Sequence, residues 1–215
     1  MKKAIVVGGS RGIGKAISDS LKVIGYSVTA TSRKELDTSD LESVKNFIHN
    51  HKETDILVLN TGGPPKRSFF DIKENEWLIY HNQLFLGFCL MLQKITVKDG
   101  GYIFLITSAV IKEPMSELVL SATYRLALTG VFKILSKNFS SRNITCINIA
   151  PGPIATDRLK SLVEDVHSFE LSLPMKRAGV PAEIGNFVKA IVENNIKYLT
   201  GVTITFDGGL SNFVL

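Results

Sequence analysis

The strand-like apolar run Ala4–Val7 passes directly into Gly8-Gly9-Ser10-Arg11-Gly12-Ile13-Gly14, and a periodic, helix-like segment follows at once. This spacing, G-x-x-x-G-x-G between a strand and a helix, constrains the chain more than any other stretch. Glycines in such a turn permit a tight bend, a close approach of backbone to a diphosphate, and close helix–strand packing. The helix that follows presents free N–H groups and the positive end of its dipole to an anion.

Further strand-like runs lie at Ser27–Thr31, Ile56–Leu59, Tyr102–Thr107, Thr145–Ile149 and Val202–Phe206. Helix-like periodicity fills Ile13–Ile24, Leu41–Asn50, Glu76–Ile95, Leu118–Phe139 and Pro181–Val192. Alternation of this kind predicts an α/β fold, a single Rossmann-type doubly wound parallel sheet with helices on both faces. The Val- and Ile-rich strands agree, since both faces of such a sheet are covered. The stretch Arg33-Lys34-Glu35-Leu36-Asp37 is too short for a full α/β unit. An abbreviated third strand is therefore expected near Glu35–Leu36, without its crossover helix.

With 215 residues and no linker or repeat, residues 1–215 are expected to form one dinucleotide-binding domain. An apolar share of 45% and a charged share of 21% exclude a disordered chain. Cys89 and Cys146 are too few for a disulfide scaffold or a Cys-based zinc site, and no histidine–carboxylate spacing suggests a metal. They read as free thiols in a reducing compartment. The opening apolar run is too short for a signal peptide, and no apolar run of membrane-spanning length follows, so a cytoplasmic protein without a membrane partner is expected. The net charge of +5 is scattered, which argues against nucleic acid as a partner.

Charge also bears on the nucleotide. NAD binding calls for a carboxylate at the end of the second strand. Here Thr31-Ser32-Arg33-Lys34 offers none at that end, and Arg11 lies in the glycine loop nearby. Two or three cations, Arg33, Lys34 and Arg11, with no acid suit a 2′-phosphate, so NADP is favoured over NAD, unless Arg33 and Lys34 are only solvated turn residues.

These features resemble the short-chain dehydrogenase/reductase family, especially its 3-oxoacyl-carrier-protein reductase-like members. The resemblance spans nearly the whole chain: the glycine loop, Asp37-Thr38-Ser39-Asp40, Asn60-Thr61-Gly62-Gly63, Ser108, Pro151-Gly152-Pro153-Ile154-Ala155-Thr156, Pro174-Met175-Lys176-Arg177, and Thr200-Gly201 with Asp207-Gly208-Gly209. It implies a cofactor site built from Gly8, Ser10, Arg11, Gly12, Ile13, Gly14, Ser32, Arg33, Asp37, Asn60, Gly62, Pro151, Gly152, Ile154 and Thr156. In the family, Asp37 would cap adenine, while Ile154 and Thr156 would contact the nicotinamide end.

The family's catalytic group is Asn, Ser, Tyr and Lys, the last two as Y-x-x-x-K. This chain departs from it. Aligned on the family pattern, Arg125 stands at the lysine position, Ser121 at the tyrosine position and Leu84 at the asparagine position. Ser108 alone is retained, so the candidate catalytic residues are Ser108, Ser121 and Arg125. A serine hydroxyl lacks the tunable ionisation of a phenol, and an arginine does not give up its proton, although it can hold a ribose and polarise an oxyanion. Loss of general acid–base help typically removes a factor of ~100 to 10,000 in rate.

Tyr124, three residues beyond Ser121, is a candidate replacement donor or else a packing residue against a neighbouring helix. His81 shares a helical stripe with Trp77, Leu84 and Phe88, with the same two readings. Pro64-Pro65-Lys66-Arg67 reads as a solvated loop or a grip for an anionic tail. Asp157–Leu173 corresponds to the family's mobile substrate lid, and Leu159, Leu162, Val163, Phe169 and Leu171 hint at an apolar lid core.

The resulting expectation is an NADP-dependent oxidoreductase acting on a small carbonyl or alcohol through an altered catalytic group. A catalytically weak NADP-binding protein, and a lyase- or epimerase-like variant, stay open beside it. The apolar excess on Glu76–Ile95 and Leu118–Phe139 predicts a homodimer or homotetramer built on those helices.

Overall fold

A computed structural model describes residues 1–214. Six parallel strands form one sheet: β1 (Lys3–Val6), β2 (Ser27–Ala30), β3 (Glu53–Leu59), β4 (Thr96–Ile106), β5 (Thr145–Pro151) and β6 (Val202–Phe206), in the order β2-β1-β3-β4-β5-β6. The chain winds outward in both directions from β1 and β3. This places a crevice between their carboxyl ends, the ligand position of doubly wound sheets.

The two faces of the sheet carry separate cores. On one, Ile17 and Leu21 of α1 (Gly12–Val23) and Ile184 and Val188 of α8 (Pro181–Glu193) cover Val6, Val58, Phe104 and Ile147. These two helices pack closely because Gly185 has no side chain: a Cβ there would stand 2.6 Å from the Ala16 carbonyl oxygen. On the other, Val44 and Phe47 of α2 (Leu41–Asn50), Phe88 and Met91, and Leu128 and Phe132 of α5 (Val119–Ser140) cover Ile5, Leu57 and Leu105. Strands buried on both sides have no polar face, so their sequences run apolar rather than alternating.

Three local features depart from the sequence expectation. No strand forms at Glu35–Leu36. The segment is a turn, closed by the Leu36 N–H donating to the Ser32 carbonyl and by an Arg33–Asp37 ion pair. Leu36 is still buried in the core, while the outer edge of β2 has no neighbouring strand among the described residues. Second, the periodic segment Glu76–Ile95 is not one regular helix. It comprises α3 (Glu74–His81), a π-helical turn over Asn82–Leu86, and α4 (Gly87–Lys94). A π turn inserts an extra residue and changes which side chains face inward, a device frequent at functional sites. Third, β3 and β4 begin earlier than their apolar runs, and a register shift between Thr54 and Ile56 absorbs the polar start.

The Asp157–Leu173 segment holds two short helices, α6 (Asp157–Leu162) and α7 (Val166–Ser172). Of its apolar residues only Leu159 and Leu173 are buried, and Leu171 is exposed. Among the described residues no helix is long and apolar enough to cross a membrane.

Candidate functional site

The carboxyl ends of β1, β3, β4 and β5 bring Gly8, Asn60, Ser108 and Pro151 to one edge of the sheet. At β1 the glycine loop meets its steric demands. Gly8 and Gly12 have φ values of 63° and 53°, a region that other residues adopt at a cost. Gly14 has no room for a side chain, since a Cβ would stand 2.1 Å from the Gly8 carbonyl oxygen. The loop is braced from both sides: the Gly8 N–H donates to Thr31 Oγ1 at 3.1 Å, and Asn60 Nδ2 donates to the Gly8 carbonyl at 3.1 Å.

Helix α1 starts after Arg11, which makes no side-chain cap, and carries no acid in its first turn. Its positive end therefore has no internal counter-charge. A Cβ on Gly12 would lie 3.2 Å from Thr156 Cγ2, so the glycine loop and the Pro151–Thr156 turn face each other directly. That turn is pinned by the Ala155 N–H donating to the Gly179 carbonyl at 2.8 Å and by Thr156 Oγ1 donating to the Ile154 carbonyl at 3.2 Å. Gly152 lies too close to Asp207 for a side chain. Ser10 is exposed and Ile13 partly buried at the helix start.

Beyond β2, the structure supplies a carboxylate that sequence reading missed. Glu35 folds back onto Ser32, accepting from its N–H at 2.8 Å and from its hydroxyl. These hydrogen bonds, chiefly the hydroxyl's, hold the Glu35 carboxyl below its usual range. The signal was present as the three-residue spacing from Ser32 to Glu35, which a turn, but not a strand, brings into contact. Arg33 Nε donates to Asp37 Oδ2 at 2.8 Å, and Ser39 donates to Asp37 Oδ1 through both N–H and hydroxyl. Burial pushes the Asp37 carboxyl upward, but Ser39 and Arg33 outweigh it and the net shift is downward.

At the other end of the edge, Arg125 is the organising residue. Its side chain is buried, with the residue only 7% exposed. Nε donates to Ser121 Oγ at 3.2 Å, Nη1 to the Ile106 and Thr107 carbonyls at 3.0 and 3.2 Å, and Nη2 to the Thr61 carbonyl at 3.3 Å. One side chain thus ties α5 to the end of β4, just before Ser108, and to the loop after β3. Burial, with the like charge of Arg158 nearby, pushes its pKa down to about 10. Ser121 is buried beside it. Ser108 accepts a long hydrogen bond, 3.4 Å, from the Val110 N–H.

Leu84, the residue expected at the family's asparagine position, is buried within the π turn and offers no polar group. The preceding residue does. Gln83 Nε2 donates to the Gly62 carbonyl at 2.9 Å and contacts Thr61 Oγ1 at 3.4 Å. A regular helical count could not reveal this, because the π turn shifts the side chains. Tyr124 directs its hydroxyl to the Trp77 carbonyl at 3.0 Å and packs edge-on against Trp77 and His81, and burial raises its pKa. Its phenolic proton is thus directed to α3 and not to Ser121. His81 packs at a tilt against Phe85 and edge-on against Tyr124 in the same aromatic group.

The enoyl-(acyl carrier protein) reductase family matches residues 35–211 of this chain. The 3-oxoacyl-(acyl-carrier-protein) reductase FabG of Salmonella typhimurium is 30% identical, with 97% of each chain covered. A short-chain dehydrogenase/reductase from Serratia marcescens is 25% identical with a TM-score of 0.82, covering 98% of both chains. A blue fluorescent protein from a metagenomic library, solved with NADPH, superposes with a TM-score of 0.88 at 23% identity over 98% of both chains. A short-chain dehydrogenase from Burkholderia cenocepacia, solved with NADP, superposes with a TM-score of 0.87 at 24% identity over 97% of both chains.

Proposed function

Because this chain belongs to the short-chain dehydrogenase/reductase family, we propose that it binds NADP(H) and interconverts a small carbonyl compound and its alcohol, with Ser121 and Arg125 standing where the family has tyrosine and lysine. The observation that carries the reading is the glycine cradle. Gly8, Gly12 and Gly14 occupy positions where backbone conformation or space excludes a side chain, and the uncompensated start of α1 opens onto them. That combination fits a dinucleotide diphosphate.

The exposed Arg33 and Arg11 supply charge for a 2′-phosphate, and two of the solved neighbours were determined with NADP or NADPH. Ser32 would meet the same phosphate, Asp37 the adenine, and Asn60 and Gly62 the ribose side of the loop. Pro151, Gly152, Ile154 and Thr156 would receive the nicotinamide end. When bound, the cofactor supplies or accepts a hydride.

The chain's own part concerns the carbonyl oxygen. Arg125 Nε occupies a lone pair of Ser121 Oγ, so the serine hydroxyl keeps its proton for a substrate oxygen. Ser108 contributes a second hydroxyl. Together they stabilise negative charge developing on that oxygen, while the buried guanidinium holds them in place. Neither serine nor arginine releases a proton readily near neutral pH, so the proton finally added comes from water. Turnover is therefore slow, by about 100- to 10,000-fold, relative to a site with a tuned phenol.

Steady-state assay of NADPH oxidation against a panel of ketones and aldehydes tests this. Slow, saturable turnover is expected, and Ser121→Tyr with Arg125→Lys should raise it. NADPH binding with no turnover on any carbonyl would favour a second reading, a cofactor-binding protein with little catalysis. The commitment of the Tyr124 hydroxyl to the Trp77 carbonyl supports that second reading, since it leaves no phenol beside Ser121. Exposed Leu78, Leu126 and Ile134, on α3 and α5, support assembly into a homodimer or homotetramer.

A further inference from the structure

Apart from Arg11, which is exposed and has no carboxylate within ion-pair distance among the described residues, the arginines of this chain are paired where exposed and unpaired where buried. Arg33, Arg67, Arg142 and Arg177, whose side chains are 40% or more exposed, each have a carboxylate within reach: Asp37, Glu76, Asp99 and Glu183. Arg125 is buried and Arg158 half-buried, yet among the described residues neither has a carboxylate within ion-pair distance. Buried cations are normally paired, because removing a charge from water is costly and only an opposite charge offsets it well.

The two guanidinium groups converge on one loop. Arg125 Nη2 donates to the Thr61 carbonyl, and Arg158 Nη2, from α6, donates to the Pro64 carbonyl. Between these anchor points lie Gly62 and Gly63. A Cβ on Gly62 would meet nothing within 4 Å, and Arg158 Nη2 lies 3.2 Å from where a Cβ on Gly63 would be. The loop floor is thus bare backbone, with open space at Gly62 and the Arg158 guanidinium standing over Gly63. Among the described residues Arg158 donates to no other acceptor, so most of its donor fork is available. Burial pushes the pKa of both guanidinium groups down, and the charge of Arg158 lowers that of Arg125 further. Tyr80 acts on Arg158 in the opposite, raising sense.

We infer that the missing counter-charge belongs to the substrate: an oxo or hydroxy acid whose carboxylate lies over Gly62–Gly63 against Arg158 and the edge of Arg125. Since Arg125 also touches Ser121, the carboxylate is only a few bonds from the reacting carbonyl, as in a short 2- or 3-oxo acid. This rests on the functional reading above and names the substrate class for that site.

The test uses calorimetric titration of the NADP-loaded protein with paired probes: pyruvate and acetoacetate against methyl pyruvate and methyl acetoacetate. At least one acid should bind about tenfold or more tightly than its ester, a margin of about 1.4 kcal/mol. Arg158→Gln should remove that preference and leave NADPH affinity within about twofold, while Arg158→Lys should keep much of it. Esters binding as well as acids in both pairs, or no binding of any probe, overturn the inference. So does an Arg158→Gln variant that loses NADPH affinity instead, which assigns the arginine to the cofactor phosphates. Failure of the wild-type protein to bind NADPH at all overturns the functional reading first, and this inference with it.

Discussion

The two ends of the site differ in what they are made of. The nucleotide end is backbone: glycines with positive φ, helix N–H groups, and a carbonyl held by Asn60. The proposed chemical end is side chain: Arg125 tied to Ser121 and three carbonyls, with Leu84 buried at the position expected for the family's asparagine. A backbone cradle tolerates almost no substitution, because the limit is steric. A side-chain constellation can change its chemistry while the fold around it stays the same. On the proposed reading the first is kept and the second replaced, so affinity for the cofactor and speed of reaction should be separable in this chain.

The largest effect expected is at Gly14. Gly14→Ala drives a methyl group into the Gly8 carbonyl and should cost about 3 kcal/mol, expressed as loss of stability or of NADPH affinity by about 100-fold. Thermal melts and fluorescence titration read both, and an unaltered variant would break the distinction between the two ends. Next, Arg125→Met leaves the Ile106, Thr107 and Thr61 carbonyls short of a donor and should destabilise the fold by about 2 kcal/mol. In the same variant NADPH affinity should fall by less than about tenfold, or about 1.4 kcal/mol, and a larger loss would mean that the chemical end also governs uptake.

A smaller effect is expected at Glu35, which occupies the Ser32 donors that a 2′-phosphate would use. Glu35→Gln should tighten NADPH by about fivefold, a modest gain because the carboxylate is exposed and screened, and leave NADH unimproved. Equal gains for both nucleotides would place the phosphate elsewhere. The smallest concerns Glu183, whose carboxyl is held down at about 2 by the Arg177 guanidinium and the Val180 N–H. A depressed carboxyl contributes stability that is present above its ordinary range and lost as pH falls toward 2. Melting temperature measured from neutral pH downward should therefore fall less steeply in Glu183→Gln. Identical acid limbs would show that this pair, which flanks Ala178 and Gly179, adds nothing measurable.

Legibility in the sequence followed the same division. Apolar runs and glycine spacing marked all six strands and the cradle, because burial on both faces and forbidden side chains leave direct traces in residue type. The Ser32–Glu35 contact was hidden, since reading the segment as a strand separates residues that a turn joins. Gln83 was hidden for another reason: the π turn breaks the regular count by which Leu84 alone was assigned to the site. Arg125 stood out as a replacement, but its four acceptors come from Ser121, Ile106, Thr107 and Thr61, and most of these lie in distant segments that no local pattern links. The want of a carboxylate beside Arg125 and Arg158 is likewise a property of the folded chain alone.

Everything at the nucleotide end requires that the glycine cradle take up a pyridine nucleotide bearing a 2′-phosphate. Titrating the purified protein with NADPH and, separately, NADH while following nicotinamide fluorescence tests it most directly. Saturable enhancement with tighter uptake of NADPH is the predicted result; no saturable change with either nucleotide, or a clear preference for NADH, would contradict it.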